Sequence, residues 1–245
     1  MSRMVFSPPT ILRDIVSPEI ACKIIIKIST RARRLRLRVE PAWDCIVLVR
    51  PRAASDKAVT SFVAKNKDWI LDRLNTLPAR VPFSEGAVIP FEGNDHVIAI
   101  RPASKARVWR EGKTICVTSH TGHLHLHVEN WLKEEARKRI SALVGEMATK
   151  FGFGFGLIRI TMKDMRTRWG SCTQDGRLSF SWRLILAPPF VLKYVAAHET
   201  AHLMHANHSP AFKRAKLELL KPYSVDPGIA RLWLSRYGAG LYRFG

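Results

Sequence analysis

The first 55 residues alternate between apolar and polar positions in several short stretches. Examples are IACKIIIKI, RLRLRVE and CIVLVRP. A period of two places successive side chains on opposite faces of a β-strand. The pattern therefore predicts a strand-rich N-terminal part.

A helical period follows in SDKAVTSFVAKNKDWILDRLNTL. Ser55 is suited to cap the N-terminus of this helix, its apolar residues recur at near-helical spacing, and Pro78 marks its end. Further short strands are predicted around HVIAIRP, ARVWREG and KTICVTS. In HLHLH, the alternation places His123, His125 and His127 on one side of a strand. No carboxylate lies inside that pattern, so we expect a partly exposed strand face rather than a metal site.

The helical period returns at about residue 128 and continues to Met147, after which FGFGFG closes the helix. We expect its acidic side chains to be ordinary surface charges: Glu129, Glu134, Glu135 and Glu146. The remaining chain predicts a strand in LIRITMKD, a loop in RTRWGSCTQDG, a strand in RLSFSWRLIL and a helix from Pro188 onward.

These elements give an α+β fold. Residues 1–125 form a basic, strand-rich region with one helix, and residues 126–245 form a second domain. No segment rich in Ser, Gly or Pro separates the two parts, so one continuous domain is the alternative.

Composition narrows the class of protein. The chain has 245 residues, of which 47% are hydrophobic, enough for a substantial core. No apolar run approaches the roughly 18 residues that span a bilayer, and the N-terminus lacks the apolar stretch of a secretory signal. We therefore expect a cytoplasmic protein without a membrane partner. The four cysteines, Cys22, Cys45, Cys116 and Cys172, form no CxxC pair, which favours reduced thiols over a thiolate metal site or disulfides.

The formal net charge of +20 points to acidic partners, with nucleic acid before other anionic surfaces. Residues 1–125 and 126–245 contribute equally to it, so the charge is not confined to a tail. In STRARRLRLRVE, Arg34, Arg36 and Arg38 alternate with apolar residues, which predicts a strand with an arginine face. That face either contacts phosphates or is a solvated strand edge whose charge discourages aggregation. Charge alone leaves both interpretations open.

The stretch HETAHLMHANH, residues 198–208, carries the strongest chemical signal. On a helix, His198 and His202 project from one face one turn apart, and Glu199 lies beside them. Two imidazoles and a third ligand leave Zn²⁺ a position for water, whose pKa falls to about 7. Glu199 is then placed to act as general base, taking the water proton and passing it to the leaving amine. The pattern predicts peptide-bond hydrolysis by a metal-activated water.

The third ligand depends on where the helix ends. His205 lies about 10 Å along the helix axis from the first histidine, too far to share the ion comfortably. His208 reaches the ion only if the chain turns, and Ala206-Asn207 can supply a left-handed helix end. Ser209-Pro210 then resembles the start of a new helix, AFKRAKLELL. We predict His208 as the third ligand, with Glu218 as the alternative and His205 solvated or packed near the ligands.

Three blocks resemble one known family. RWGSC at 168–172, SWRLILAPP at 181–189 and YVAAHETAHLMHANHSPAF at 194–212 are similar to the YgjP-like branch of the SprT-like zinc metallopeptidases. The resemblance implies a zincin-like catalytic part, with the HExxH helix packed on a small β-sheet. It also implies a protein or peptide substrate and one Zn²⁺ ion held by three histidines, with a glutamate as general base. The matching positions here are His198, His202, His208 and Glu199.

Other positions in these blocks have less definite roles. Arg168, Trp169 and Cys172 either shape the substrate cleft or pack beneath the catalytic helix, and three histidines leave no place for Cys172 as a ligand. Members of the family often carry Asn at the position of Ser181 and Leu at that of Thr200. The first difference puts a hydrogen bond near the site in doubt.

Two functional hypotheses from different classes follow. The leading one is a zinc-dependent metalloendopeptidase. The alternative is a nucleic-acid-binding protein whose metal site is structural or vestigial. A DNA-associated protease would combine both, since SprT-like relatives include proteases that act on DNA-attached proteins.

Overall fold

A computed structural model describes residues 10–11, 23–40, 45–102, 107–118, 123–154, 158–165 and 168–245. It divides the chain into two compact units, Met1–Ala79 and Arg80–Gly245. The boundary expected near residue 125 falls inside the second unit, because the strands after residue 87 share one hydrophobic core with the helices that follow. The predicted α+β class is confirmed. Cys22 lies outside the described residues.

The first unit contains a four-stranded sheet and two helices. The strands are β1 (Thr10–Ile11), β2 (Lys23–Ser29), β3 (Arg36–Glu40) and β4 (Cys45–Pro51), and the helices are α1 (Asp56–Lys65) and α2 (Lys67–Asn75). The order across the sheet is β1-β2-β4-β3. The strands β2 and β4 run parallel, whereas β1 and β3 pair antiparallel with their neighbours. Apolar side chains of β2 and β4 form a core with those of α1 and α2.

The predicted cap and the predicted arginine face both occur in this unit. The Ser55 hydroxyl accepts a hydrogen bond from the Ala58 N–H at 3.2 Å, which caps α1. The helix expected to reach Pro78 is instead two helices separated at Asn66. The Asn66 side-chain amide donates to the Phe62 carbonyl at 2.7 Å, the local competition by which Asn interrupts helices.

In β3, Leu37 and Val39 pack toward the helices, so Arg36 and Arg38 lie on the opposite face. Arg34 belongs to the segment that precedes this strand. The predicted alternation is therefore confirmed for two of the three arginines.

The second unit contains two sheets. The first consists of β5 (Val88–Phe91), β6 (Asn94–Ile100), β7 (Val108–Glu111) and β8 (Thr114–Val117) in the order β5-β6-β8-β7. The second consists of β9 (Ile160–Lys163), β10 (Gly170–Cys172) and β11 (Leu178–Ser181) in the order β10-β11-β9. In the second sheet, β10 is an edge strand antiparallel to β11.

Four α-helices complete this unit: α3 (Leu124–Lys150), α4 (Pro189–Ala201), α5 (Pro210–Leu220) and α6 (Pro227–Tyr237). Single 3-10 helices span Trp182–Leu186, Lys221–Tyr223 and Gly238–Arg243. The helix α4 packs against α3, α5 and α6 and also against β10. Most of its residues are buried, and this central position fixes its C-terminal end, which carries HETAH.

Three sequence assignments in the second unit were wrong. HLHLH is not a strand, because α3 begins at Leu124 and His123 occupies its N-cap position; the buried Val128 and Leu132 continue the same helix. WRLIL is a 3-10 helix rather than a strand, and since all five side chains are buried, no alternation marks its period. The loop RTRWGSCTQDG contains β10, which is too short for a recognisable period.

Other assignments hold. Gly152 adopts a φ of 78° just beyond α3, so FGFGFG ends this helix as predicted. The carboxylates of Glu129, Glu134 and Glu135 form ion pairs along the surface of α3, and Glu146 is exposed. Among the described residues, no helix combines the length and the apolar character that crossing a membrane requires.

Leu132 and Leu126 lie on the same helix, but Leu132 is fully buried and Leu126 is 43% exposed. Leu132→Ala should lower the free energy of unfolding by about 2–5 kcal/mol, because the lost apolar contacts and the new cavity both destabilise the fold. Leu126→Ala should cost about 1 kcal/mol or less, since much of its side chain already contacts water. Urea denaturation of the two variants measures the difference. Equal losses would contradict the assignment of the buried face of α3.

Candidate metal centre

The HETAH segment occupies the last turn of α4. Pro189 starts the helix, as its fixed φ and missing N–H favour, and Ala201 ends it. His198 and His202 project from one face, with their ring centroids 5.0 Å apart. Their expected placement one turn apart on a helix is thus observed.

The chain leaves α4 earlier than the sequence predicted. The expected helix ran to Ala206-Asn207, with Asn207 left-handed, whereas α4 stops at Ala201 and the His205 N–H donates back to the Ala201 carbonyl at 3.1 Å. Within the described chain, positive φ among non-glycine residues occurs only at Glu92 and Ser224. Asn207 acts instead through its side chain.

The start of α5 completes this reversal. The Asn207 side-chain oxygen accepts a hydrogen bond from the Ser209 N–H at 3.2 Å, which fixes a tight turn. The Ser209 hydroxyl accepts from the Phe212 N–H at 3.3 Å, and Pro210 begins α5. The predicted Ser-Pro helix start is therefore correct, although the mechanism of the preceding turn was not.

The reversal returns His208 to the other two histidines. One imidazole nitrogen from each of His198, His202 and His208 lies within 4.8 Å of the others, and the facing Nε2 atoms of His198 and His208 are 3.2 Å apart. Two nitrogens bound to zinc at about 2.0–2.1 Å in tetrahedral geometry lie about 3.3 Å apart. The spacing and the all-nitrogen donor set fit a zinc ion, and the fourth tetrahedral position needs no further side chain.

A backbone contact orients one of these rings. The Nδ1 atom of His202 lies 2.9 Å from the carbonyl oxygen of His205, so Nδ1 carries the proton and donates it. This leaves Nε2 of His202 as the nitrogen that can accept a metal, the arrangement common among metal-binding histidines. His205 thus contributes its carbonyl rather than its ring. Glu218 and Cys172 are not part of the three-histidine cluster.

Phe212 forms the apolar support of the cluster. Its ring centroid lies 5.0, 4.4 and 4.8 Å from those of His198, His202 and His208, respectively. Phe212 is fully buried, so it restricts the rotation of all three imidazoles. The sequence HSPAF thereby combines one histidine, the cap of α5 and the support beneath the cluster.

Glu199 points from α4 toward β10, and Gly170 leaves it the necessary space. A Cβ atom at Gly170 would lie 2.5 Å from Cγ and 2.7 Å from Oε1 of Glu199, well inside contact distance. Glu199 itself is 7% exposed. The glycine of RWGSC is therefore required by the close approach of the carboxylate to the strand.

Trp169, which precedes Gly170, packs against the C-terminal segment of the chain. The ring of Trp169 stacks on that of Tyr242, with centroids 5.2 Å apart, and a Cβ at Gly238 would lie 3.0 Å from the indole. The buried Arg183 donates to the carbonyls of Leu241 at 3.2 Å and Phe244 at 2.5 Å. Trp169 therefore has a packing role, which is one of the two roles predicted for it. The segment around Tyr242 holds the indole in place.

A cleft of about 700 Å³ opens onto the three clustered histidines and Glu199. Arg168 and Cys172 line it, together with the three histidines and Glu199. Its other walls come from Gly170, Ser171, Thr173, Gln174, Gly176, Leu203, Met204 and Ala206. Arg168 therefore shapes the cleft, the other role predicted for this block. The hydroxyls of Ser181 and Thr200 are fully buried and form no hydrogen bond with the described residues, so the hydrogen bond put in doubt at Ser181 is not observed.

Burial dominates the protonation of the site. It lowers the pKa of His198 to about 4, assisted by the nearby His202, Lys216 and His208. It raises the pKa of Glu199 to about 7, against the opposing charge of Arg168. Burial and the carboxylate of Glu199 also raise the pKa of Cys172 to about 11, so this thiol stays protonated near neutral pH.

The roles of Phe212 and Gly170 at the site were not predicted from the sequence, although both residues lie in the blocks that resemble the family. Phe212 follows a predicted ligand by four residues and has the pattern of an ordinary core residue. Gly170 lies in a predicted loop, where glycine usually indicates a turn. Only the reversal between α4 and α5, and the pairing of β10 beside α4, give these residues their roles. Tyr242 carries no local signal at all, because its partner is distant in sequence.

Comparison with known families agrees with this geometry. The family model described as YgjP-like, metallopeptidase domain, matches residues 33–226. This range is most of the chain and includes RWGSC and HETAH, so the chain belongs to the YgjP-like family and carries its metallopeptidase domain. Peptide-bond hydrolysis is thus the class of reaction, with a protein or peptide as substrate. Neither the curated proteins nor the solved structures gave a match.

His208→Ala and His205→Ala separate the two histidines that follow α4. His208→Ala should abolish stoichiometric zinc binding, because it removes one of three clustered nitrogens. His205→Ala should retain zinc, since the His205 contact uses only its backbone carbonyl. Metal analysis of each purified variant after dialysis against zinc measures the stoichiometry. Loss of zinc in His205→Ala alone would overturn the ligand assignment.

His198 and Glu199 give the metal-free protein opposite pH dependences of stability. The pKa of His198 is about 4 in the folded chain, below its ordinary value of 6.5, so acidification from pH 6.5 protonates the unfolded chain first and destabilises the fold. The pKa of Glu199 is about 7 in the folded chain, above its ordinary value of 4.5. Acidification from pH 7 therefore protonates the folded chain first and stabilises the fold.

Two variants separate these contributions. Relative to the wild type, Glu199→Gln should lose free energy of unfolding as the pH falls from 7 to 4.5, whereas His198→Asn should gain it as the pH falls from 6.5 to 4. Urea denaturation of chelator-treated protein across this range tests both signs. Parallel curves for the wild type and both variants would contradict the two pKa shifts.

Proposed function

We propose that this protein is a zinc-dependent endopeptidase in which His198, His202 and His208 hold one Zn²⁺ ion and Glu199 is the general base. The observation that carries the proposal is the convergence of three imidazole nitrogens within 4.8 Å beside a buried carboxylate in one open cleft. When bound, zinc supplies a Lewis acid that polarises the peptide carbonyl and acidifies water.

Glu199 has the properties that proton transfer requires. In the metal-free chain, burial raises the pKa of Glu199 to about 7, whereas a nearby cation would favour the ionised carboxylate that accepts a proton. It takes the proton of the attacking water and delivers it to the nitrogen of the departing amine. The close approach to Gly170 restricts the carboxylate to one side of the cleft that the three histidines also line.

The edge strand β10 supports an extended peptide as the substrate. The Trp169 carbonyl accepts from the Ser181 N–H at 2.9 Å, and the Thr173 N–H donates to the Arg177 carbonyl at 3.0 Å. Both hydrogen bonds lie on the edge of β10 that faces β11. Backbone groups alternate along a strand, so those of Gly170 and Cys172 point toward the opposite edge. In the described sheet no strand pairs with that edge, and both residues line the cleft. A substrate strand can therefore add there by backbone hydrogen bonds.

Glu199→Gln and Gly170→Ala test the general base in two ways. Glu199→Gln should reduce cleavage of a peptide library by about 10²–10⁴-fold with zinc retained, because the amide cannot accept the proton. Gly170→Ala should reduce it by about 100-fold with zinc retained, since the new Cβ displaces the carboxylate. Turnover and zinc content are measured on the same preparations.

Matched controls come from elsewhere in the chain. Glu218→Gln makes the same chemical change on the exposed face of α5, and Gly240→Ala adds a Cβ where no atom lies within 4 Å. Both should cleave like the wild type. Full cleavage by Glu199→Gln with zinc retained would refute Glu199 as the general base. Absence of cleavage by the zinc-loaded wild type would instead favour a structural metal site in a protein of another function.

A further inference from the structure

One end of the sheet in the first unit gathers residues that are separated in sequence. The register pairs Ser29, the end of β2, with Pro51, the end of β4, and pairs Arg36, the start of β3, with Val49. The connection 30–35 and the segment 52–55 therefore leave the sheet at the same end. Because neighbouring strands lie about 4.8 Å apart, the three strands bring these segments within roughly 10 Å of each other.

This end of the sheet is strongly basic. We call the following six side chains the basic end: Lys27, Arg31, Arg33, Arg34, Arg36 and Arg52. All six are exposed. No ion pair joins any of them to a carboxylate of the described residues.

The first acidic side chain after β4 is already engaged. Asp56 pairs with Arg50 at 2.5 Å, and the Arg50 guanidinium also donates to the Ala54 carbonyl. Glu40 pairs with Arg38 at the other end of β3. These two carboxylates therefore do not neutralise the basic end, and mutual repulsion of its cations favours the binding of anions.

Protection of a strand edge does not account for the basic end. Charged side chains on β3 would discourage edge-to-edge pairing, and Arg36 suffices for that purpose. Arg31, Arg33 and Arg34 precede β3 in the connection, and Arg52 follows β4, so none of these four lies on the exposed edge strand. Their convergence with Arg36 needs another explanation.

The side-chain chemistry identifies the kind of partner. Five of the six cations are arginines, whose planar guanidinium groups bind phosphate oxygens in a two-pronged manner. Residues 27–36 and 50–55 contain no aromatic ring on which a base could stack. Such a surface fits repeated phosphates rather than bases, and a nucleic-acid backbone presents several phosphates over a distance of about 10 Å.

We propose that the basic end is a docking surface for the phosphate backbone of a nucleic acid, bound without preference for sequence. This inference is independent of the peptidase proposal, because none of its residues lies in the cleft that contains Glu199. Binding and cleavage can therefore fail separately.

The test uses the full chain and a short fluorescent DNA duplex of mixed sequence, with double-stranded RNA and single-stranded DNA in parallel. Fluorescence anisotropy over a series of salt concentrations gives the affinity and its salt dependence. The basic-end variant replaces Arg31, Arg33, Arg34 and Arg52 with Gln. The charge-matched control replaces four exposed cations of the second unit with Gln: Lys113, Lys213, Arg214 and Arg236.

The basic-end variant should bind duplex at least about tenfold more weakly. Its plot of log affinity against log salt should become less steep by about 3 to 4, since each lost phosphate contact removes about 0.9 from the magnitude of the slope. The control variant should lose less than about threefold, and Glu199→Gln should bind like the wild type. Thermal unfolding of both charge variants verifies that they fold.

Three results would overturn the proposal. The first is absence of binding by the wild type to any of the three nucleic acids at low salt. The second is an equal loss in both charge variants, which would assign binding to diffuse charge. The third is binding to vesicles of anionic phospholipid that depends on the same arginines and that added duplex does not displace.

Discussion

The three imidazoles meet only because the chain reverses direction between α4 and α5. A helix fixes His198 and His202 one turn apart, but a continued helix would direct His208 away from both. The backbone therefore stops helical winding at Ala201 and restarts at Pro210. Phe212 then packs beneath all three rings. The candidate metal centre is thus a property of a helix end, and the surrounding helices serve to hold that end in one position.

Glu199 depends on a different constraint, the close approach of α4 to the edge strand β10. Helix and strand come near enough that only glycine fits at position 170. The same approach removes the carboxylate from water, which raises its pKa toward 7. One packing distance therefore determines the position of the carboxylate and also its protonation near neutral pH. A looser contact would give an ordinary surface glutamate that is ionised throughout the neutral range.

Local signals in the sequence accounted for the two helix histidines, the start of α5 and most of the strands. Helical spacing determines which faces His198 and His202 share, and Ser209-Pro210 marks a helix start through chemistry confined to a few residues. The predictions were wrong where tertiary contacts decide, as in WRLIL, whose uniform burial hides its period. The exact turn before His208 was also mispredicted, because Asn207 acts through its side chain. Gly170 and Tyr242 gain their roles only from partners distant in the chain.

The stacking of Trp169 on Tyr242 ties the cleft to a segment beyond residue 226, where the family match ends. The matched range therefore includes all three clustered histidines but not the ring against which Trp169 packs. A domain cut at residue 226 would keep HETAH and His208 while leaving the residue before Gly170 without its stacking partner.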